Sequence, residues 1–268
     1  MRLPYLEQGD ASGVPLVFLH AYADSWRSFE QVLAHTPPSL HVFALTQRGH
    51  GDAEKPPSGY TAADYAADLT EFMDAARLDA VVLVASSSAG FTAQRFAADH
   101  PDRTLGLVLI GVPWSLADKP GLDDFSAALS GLRDPVDPSF VREFVEATAG
   151  DAVPGDFLET MTAESRKVPA HVWREAFAAL IGEVPAAEGG AVVAPTLLIW
   201  GDRDPFVPRG DQDTFVAAMP RCQLSVYEGT GHIVHWEEPE RVAADVSEFA
   251  ASLAGASAVP SRAGRRAR

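Results

Sequence analysis

Three groups of side chains in this chain have the types and order needed for acyl transfer. Ser86, Ser87 and Ser88 follow the apolar run AVVLVA. Asp202 and Asp204 follow PTLLIWG, and His232 and His235 follow CQLSVYEGTG. A serine hydroxyl is almost wholly protonated at neutral pH, so it attacks a carbonyl only beside a base that takes its proton. An imidazole does this when a carboxylate holds its tautomer and stabilises the imidazolium. Attack on a carbonyl then yields a tetrahedral oxyanion, which two amide N–H donors would hold, each worth about 3 kcal/mol.

Residues 80 to 101 supply the nucleophile's setting. The Val-rich run reads as a strand buried on both faces, and after the serines Phe91, Phe96 and Ala97 fall at helical spacing. The helix stops before His100 and Pro101, because the residue preceding a proline avoids helical backbone angles. A tight strand-to-helix turn lifts a hydroxyl above the carboxyl end of the sheet and aims the following N–H groups at an oxyanion. Such a turn needs small residues two before and two after the nucleophile. With Ser87 these are Ala85 and Ala89; with Ser88 they are Ser86 and Gly90. Two further choices stand open on the residues alone, Asp202 against Asp204 and His235 against His232.

The elements that must position these groups alternate. Strand-like segments span 3–8, 15–20, 41–46, 80–86, 105–112, 195–201 and 222–229, and helical patterns lie around 24–35, 61–76, 88–99, 210–218 and 239–254. Alternation of this kind predicts an α/β fold with a doubly wound, mostly parallel sheet whose binding edge lies beyond the strands' carboxyl ends. Thr61 and Asp64 form a capping pair for the second helix, Asp24 or Ser25 caps the first, and Pro239 opens the last. Between 114 and 190 the alternation breaks into several helical stretches punctuated by prolines, too long for a crossover loop. The segment reads as an inserted helical cap, with Phe125, Phe140, Phe144, Phe157, Trp173 and Phe177 as its core and roof. The expected organisation is therefore a core of 1–113 and 191–255, a cap of 114–190 and a disordered basic tail of 256–268.

Composition bounds the partners. The formal net charge of −16 excludes nucleic acid and anionic membrane surfaces as general partners. The last thirteen residues, ASAVPSRAGRRAR, hold four arginines; without them 17 basic residues face 37 acidic ones, a net −20. One cysteine, Cys222, precludes an internal disulfide framework and fits a reducing cytoplasm. No apolar leader or bilayer-spanning run is present, and no His/Cys/carboxylate cluster has zinc-site spacing. Nothing in the pattern separates a monomer from a homodimer.

Several motifs together resemble the alpha/beta-hydrolase superfamily, over about residues 3 to 254. They are the run from Ser87 through Gln94 and Arg95 to His100 and Pro101, the loop after His20, Thr46-Gln47-Arg48-Gly49-His50-Gly51, and Gly201-Asp202-Arg203-Asp204 followed by Pro205. The resemblance implies Ser87 as nucleophile, Asp204 as acid and His232 as base, with the backbone N–H groups of Tyr22 and Ser88 as the oxyanion hole. It implies a structural role for His20 and a scaffold role for Arg48 and His50. The chain departs from the pattern at Ala85 and Ala89, at Ala21 where the His-Gly loop has glycine, and at Thr46 where an aspartate is usual. A serine at the elbow argues against the haloalkane-dehalogenase and epoxide-hydrolase branches, whose alkyl-enzyme chemistry needs a carboxylate.

The expected activity is hydrolysis of an ester, lactone or related acyl bond in a small, largely apolar molecule, with no metal or organic cofactor. Trp26, Trp114 and Phe206 are the expected pocket residues. C–C hydrolysis, lyase or peroxidase-type chemistry on the same residues is the alternative. A weakly hydrolytic ligand-binding or cyclase-like protein is another, motivated by the Ala-for-Gly departures.

Overall fold

In the computed structural model the described residues are 1–117, 119–150 and 152–257, without the side chains of 254–257. The basic tail thus lies outside the described residues from 258 onward. Seven strands form one sheet: β1 (Tyr5–Gly9), β2 (Pro15–Leu19), β3 (His41–Leu45), β4 (Val81–Ser86), β5 (Thr104–Ile110), β6 (Thr196–Gly201) and β7 (Cys222–Tyr227). Their spatial order is β1-β3-β2-β4-β5-β6-β7. Only β1 runs antiparallel, against β3; the other neighbours are parallel. The winding reverses between β2 and β4, and the loops leaving these two strands diverge there, opening the crevice in which ligands of such sheets bind.

Alternate residues of each strand serve opposite faces. Leu16, Phe18, Val82, Val84, Val108 and Ile110 pack with Phe29, Val32, Val242 and Val246 on one side. That layer is built by α1 (Glu30–His35), α9 (Val234–Glu237) and α10 (Pro239–Ser257). Val17, Leu19, Leu83, Ala85, Leu107 and Leu109 pack with Leu69, Met73, Phe96 and Phe215 on the other, from α2 (Ala62–Ala76), α3 (Ala89–Asp99) and α8 (Arg209–Ala218). Both faces are covered, so the central strands read as continuous apolar runs. Between β5 and β6 stand α4 (Leu122–Gly131), α5 (Pro138–Thr148), α6 (Gly155–Ser165) and α7 (Ala170–Gly182).

Local signals behave as their chemistry requires. Thr61 Oγ1 accepts the Asp64 N–H while Asp64 accepts the Thr61 N–H, a reciprocal capping box. Ser25 rather than Asp24 caps the first turn, its Oγ accepting from Arg27 N at 3.2 Å. That turn is 3-10 over Trp26–Phe29 before α1 begins. The short helix α9 ahead of Pro239 was not expected; it is a single turn carrying Val234 and Trp236 into the interior, and one turn is too brief for helical periodicity to register.

Close approach of α3 to the chain leaving β5 is set by Gly90 rather than by the alanines flanking Ser87. Ala85 and Ala89 are buried with their Cβ atoms accommodated, whereas a Cβ on Gly90 would lie 2.3 Å from Val112 Cγ1 and 3.0 Å from Val112 Cβ. Gly90→Ala should therefore destabilise the fold by about 1–3 kcal/mol. Pairing it with Val112→Ala should cost less than the two single losses added together, by at least about 0.5 kcal/mol, in a urea-unfolding double-mutant cycle.

Candidate active site

Ser87 is the residue on which the β4–α3 turn bends. Its φ is +47°, in the left-handed region that β-carbon-bearing residues avoid. Holding a residue there costs about 1–3 kcal/mol, and the turn is clamped from both sides. Ser87 N donates to Ile110 O at 2.8 Å, and Ser87 O accepts from Gly90 N at 2.9 Å. Of the three serines, Ser86 ends β4 with its hydroxyl buried and without a partner among the described residues, and Ser88 caps α3 with ordinary helical angles. Only the Ser87 hydroxyl meets an imidazole, Oγ lying 3.1 Å from His232 Nε2.

The same ring closes on its other nitrogen. His232 Nδ1 lies 2.7 Å from Asp204 Oδ2, and the Asp204 side chain is fully buried with that of His232 only 8% exposed. Asp204 is fixed in turn, since Oδ1 accepts the N–H groups of Phe206 and Val207 at 2.8 and 2.9 Å. Asp202 is used elsewhere, Oδ1 accepting Gly229 N at 2.6 Å in the loop after β7. That loop is steadied by Glu237, whose Oε1 accepts the N–H of Gly231 at 2.8 Å. Beneath it Gly111 has φ +58°, and a Cβ there would sit 2.6 Å from the His232 carbonyl oxygen.

Tyr22 and Ser88 line one narrow pocket, and among the described residues neither backbone N–H has an acceptor. Ala21 has no left-handed φ; that strain falls on Ala23, at +65°. The Tyr22 side chain points away from the sheet, its hydroxyl donating to Trp173 O at 2.5 Å and its ring packed edge-on against Phe144 and Trp173. With Phe125, Phe140 and Phe177 these rings form one cluster, whereas Phe157 packs separately against Trp236. His20 is occupied on both nitrogens, Nε2 accepting from Gln47 N at 3.0 Å and Nδ1 lying 2.8 Å from Ala21 O. Arg48 grips both carboxylate oxygens of Asp68 and donates to Gly59 O. Thr46, where an acid is usual, accepts the Trp26 N–H at 3.2 Å.

None of the three expected pocket residues is among those lining the pocket beside Tyr22 and Ser88. Trp26 is packed against the opposite core layer with the Arg27 guanidinium 5.0 Å from its ring. Trp114 stacks edge-on against Phe215 at 4.9 Å, on the face that holds α8. Phe206 is the exception in part: it is 43% exposed and its ring lies 5.2 Å from that of His232, at the rim. The cavity is instead lined by Tyr60, Tyr65, Phe91, Leu180 and His50, with Glu183 at its end. A large aromatic beside a predicted catalytic turn does not tell which face of its element it occupies.

A family model described as the alpha/beta hydrolase fold matches residues 14–239. Monoacylglycerol lipase abhd6-A of Xenopus laevis is 26% identical over 264 residues, covering 91% of this chain and 76% of that protein. Among solved structures, the esterase RhEst1 from Rhodococcus sp. ECU1013 is 25% identical with a TM-score of 0.81, covering 93% of this chain and 94% of that one. A thermophilic esterase from Thermogutta terrifontis, 20% identical, superposes with a TM-score of 0.84 over 94% and 93% of the two chains.

Behind the site a buried polar cluster joins the loop after β2 to the His232 loop. Ser28 Oγ lies 3.0 Å from Asp24 Oδ2, 3.0 Å from His235 Nε2, and accepts Trp236 Nε1–H at 3.0 Å. His235 stacks on Phe29 at 4.5 Å and is fully buried, a packing residue held neutral by burial, with its pKa down to about 3. Burial also pushes the Asp24 carboxyl up to about 8, against a partial opposing effect of Ser28. A carboxyl whose folded pKa exceeds its unfolded value favours folding when protonated, so this contribution is complete below pH 4 and is lost as pH rises through about 8. Relative to Asp24→Asn, the wild type should lose unfolding free energy steadily between pH 5 and pH 8; parallel stability curves for the two proteins in urea titrations would contradict this.

Proposed function

The chain belongs to the alpha/beta hydrolase fold family, and from that premise we propose that it is a serine hydrolase acting on an ester or related acyl bond of a small, largely apolar molecule. The observation that carries this reading is the unbroken hydrogen-bonded series from Asp204 through His232 to Ser87, with Ser87 strained into the left-handed region. On this reading His232 Nε2 takes the Ser87 proton as Oγ attacks the carbonyl carbon. Asp204 keeps the Nδ1 proton facing it and stabilises the imidazolium. The tetrahedral oxyanion is received by the Tyr22 and Ser88 amides, whose N–H groups are open and border one cavity.

His232 then returns the proton to the leaving oxygen, the C–O bond breaks, and an acyl-Ser87 ester remains. Water, deprotonated by the same imidazole, releases the acid. The aromatic cluster of α4, α5 and α7 that Tyr22 enters supports reading the segment 114–190 as a cap over the acyl group. Excluding water there would strengthen each of these electrostatic contacts. A half-buried lone thiol, Cys222, supports the cytoplasm as its compartment.

Three variants test the assignment. Ser87→Ala should abolish fluorophosphonate labelling and lower ester turnover by about 10^4-fold or more, and equal activity in variant and wild type would dismiss it. Asp204→Asn should lower kcat by about 10^4-fold, because the amide leaves the imidazole in the wrong tautomer. Asp202→Asn, which alters only a turn contact to Gly229, should keep kcat within about tenfold.

A further inference from the structure

The amide of Tyr22 and the imidazole of His232 must both be placed on Ser87, yet the strands that deliver them are not neighbours. Tyr22 follows β2 and His232 follows β7, with β4, β5 and β6 standing between. Each of the two loops is closed by a turn of its own. Asp24 N donates to Ala21 O at 3.3 Å across Tyr22, and Trp236 N donates to Ile233 O at 2.9 Å just after His232. The side chains of these turns, Asp24 from one and His235 with Trp236 from the other, converge on a single hydroxyl. It belongs to Ser28, 1% exposed, and lies 3.0 Å from each of them.

That hydroxyl has one proton and two lone pairs, and the cluster uses all three. Trp236 Nε1–H occupies one lone pair. The proton then goes to Asp24 or to His235, and whichever does not receive it must donate into the second lone pair. At pH 7 both partners are mainly neutral, since burial takes the Asp24 carboxyl up to about 8 and the His235 imidazole down to about 3. Each can therefore supply a proton of its own. His235 Nδ1 has no partner among the described residues, so the ring is held by Ser28 and by its stacking on Phe29 at 4.5 Å. Ser28 is itself fixed, its N–H donating to Ser25 O at 3.0 Å. A buried network with its hydrogen bonds filled is stiff, and removing its hub leaves several polar groups short of a partner at once.

We propose that Ser28 is a positioning residue, its hydroxyl tying the Tyr22 turn to the His232 loop so that oxyanion donor and general base keep one spacing about Ser87; the inference rests on the serine-hydrolase reading. Ser28 takes no part in the bond changes. It acts through Asp24 on one side and through His235 and Trp236 on the other.

The test counts active sites by fluorophosphonate labelling to completion, which leaves unfolded molecules out of the rate. Per labelled site, Ser28→Ala should lower kcat for p-nitrophenyl butanoate by about 10- to 100-fold and kcat/KM by the same factor, with KM within about threefold of wild type. Butylboronic acid, whose tetrahedral serine adduct puts an oxygen where the oxyanion forms, should bind at least about tenfold more weakly. Phe215→Leu, a core change on the other face of the sheet, should leave both values within about threefold of wild type. Asp24→Ala should repeat the Ser28→Ala loss, whereas Asp24→Asn, whose amide can still donate to the hydroxyl, should stay at least about fivefold above Asp24→Ala. The two Asp24 variants carry the test if Ser28→Ala does not fold. A kcat in Ser28→Ala within about threefold of wild type, an equal loss in Phe215→Leu, an unchanged boronic acid affinity or equal kcat in the two Asp24 variants overturns the tie and leaves the Ser87 chemistry standing. A wild type that neither labels nor turns over the ester overturns both.

Discussion

The left-handed backbone at Ser87 is the constraint to which the other parts of the site are fitted. A β-carbon-bearing residue reaches a φ of +47° only when its surroundings leave no cheaper alternative. Here the next strand takes the amide through Ile110 and the helix takes the carbonyl through Gly90. Both partners belong to elements with their own buried faces, so relaxing the turn would mean shearing β4 against β5 or lifting α3 from Val112. The hydroxyl is thereby held above the sheet edge at a height that β6 and β7 also reach. Asp204 and His232 arrive from those two strands, and Gly111 leaves room beneath the histidine's carbonyl.

Tyr22 shows how one residue joins the sheet to the helical segment. Its amide stays at the sheet edge with Ser88, while its ring and hydroxyl are buried among Phe144, Trp173 and Phe177 of α5 and α7. The helices therefore bear directly on where that amide sits. This explains how Ala21 can stand where a glycine is usual. The backbone of the loop needs its left-handed turn two residues later, at Ala23, and the anchoring of Tyr22 supplies the rigidity that a particular residue at 21 need not provide.

The seven strands and their order of faces were legible because both faces of the sheet are covered, which turns each strand into an apolar run that a turn then interrupts. The helices around it were legible through caps and prolines, as at Thr61–Asp64 and Pro239. The three groups of candidates could be located because each follows such a run, which topology brings to one edge; the choice of Ser87, Asp204 and His232 within them came from the family resemblance. The pocket was not legible. Trp26 and Trp114 drew notice by size, but which face a half-buried aromatic occupies depends on the neighbouring layer, and each lies half-buried against one of the two core layers. The resemblance gave His50 a scaffold role, and its Nδ1 faces the Arg48 carbonyl oxygen at 2.7 Å.

Function at this edge is carried by the hydrogen-bonding capacity that folding leaves open. Arg48 is saturated by Asp68 and Gly59, His20 by Gln47 and Ala21, and Asp202 caps the turn at Gly229. These groups are polar and chemically able, yet each is committed to holding a loop, and removing one would leave a partner unsatisfied. Among the described residues the amides of Tyr22 and Ser88 have no such commitment, and both residues line one pocket. On the serine-hydrolase reading these two open amides are the donors that would receive an oxyanion. Their placement is set by β2 and β4, whose following loops carry Tyr22 and Ser88.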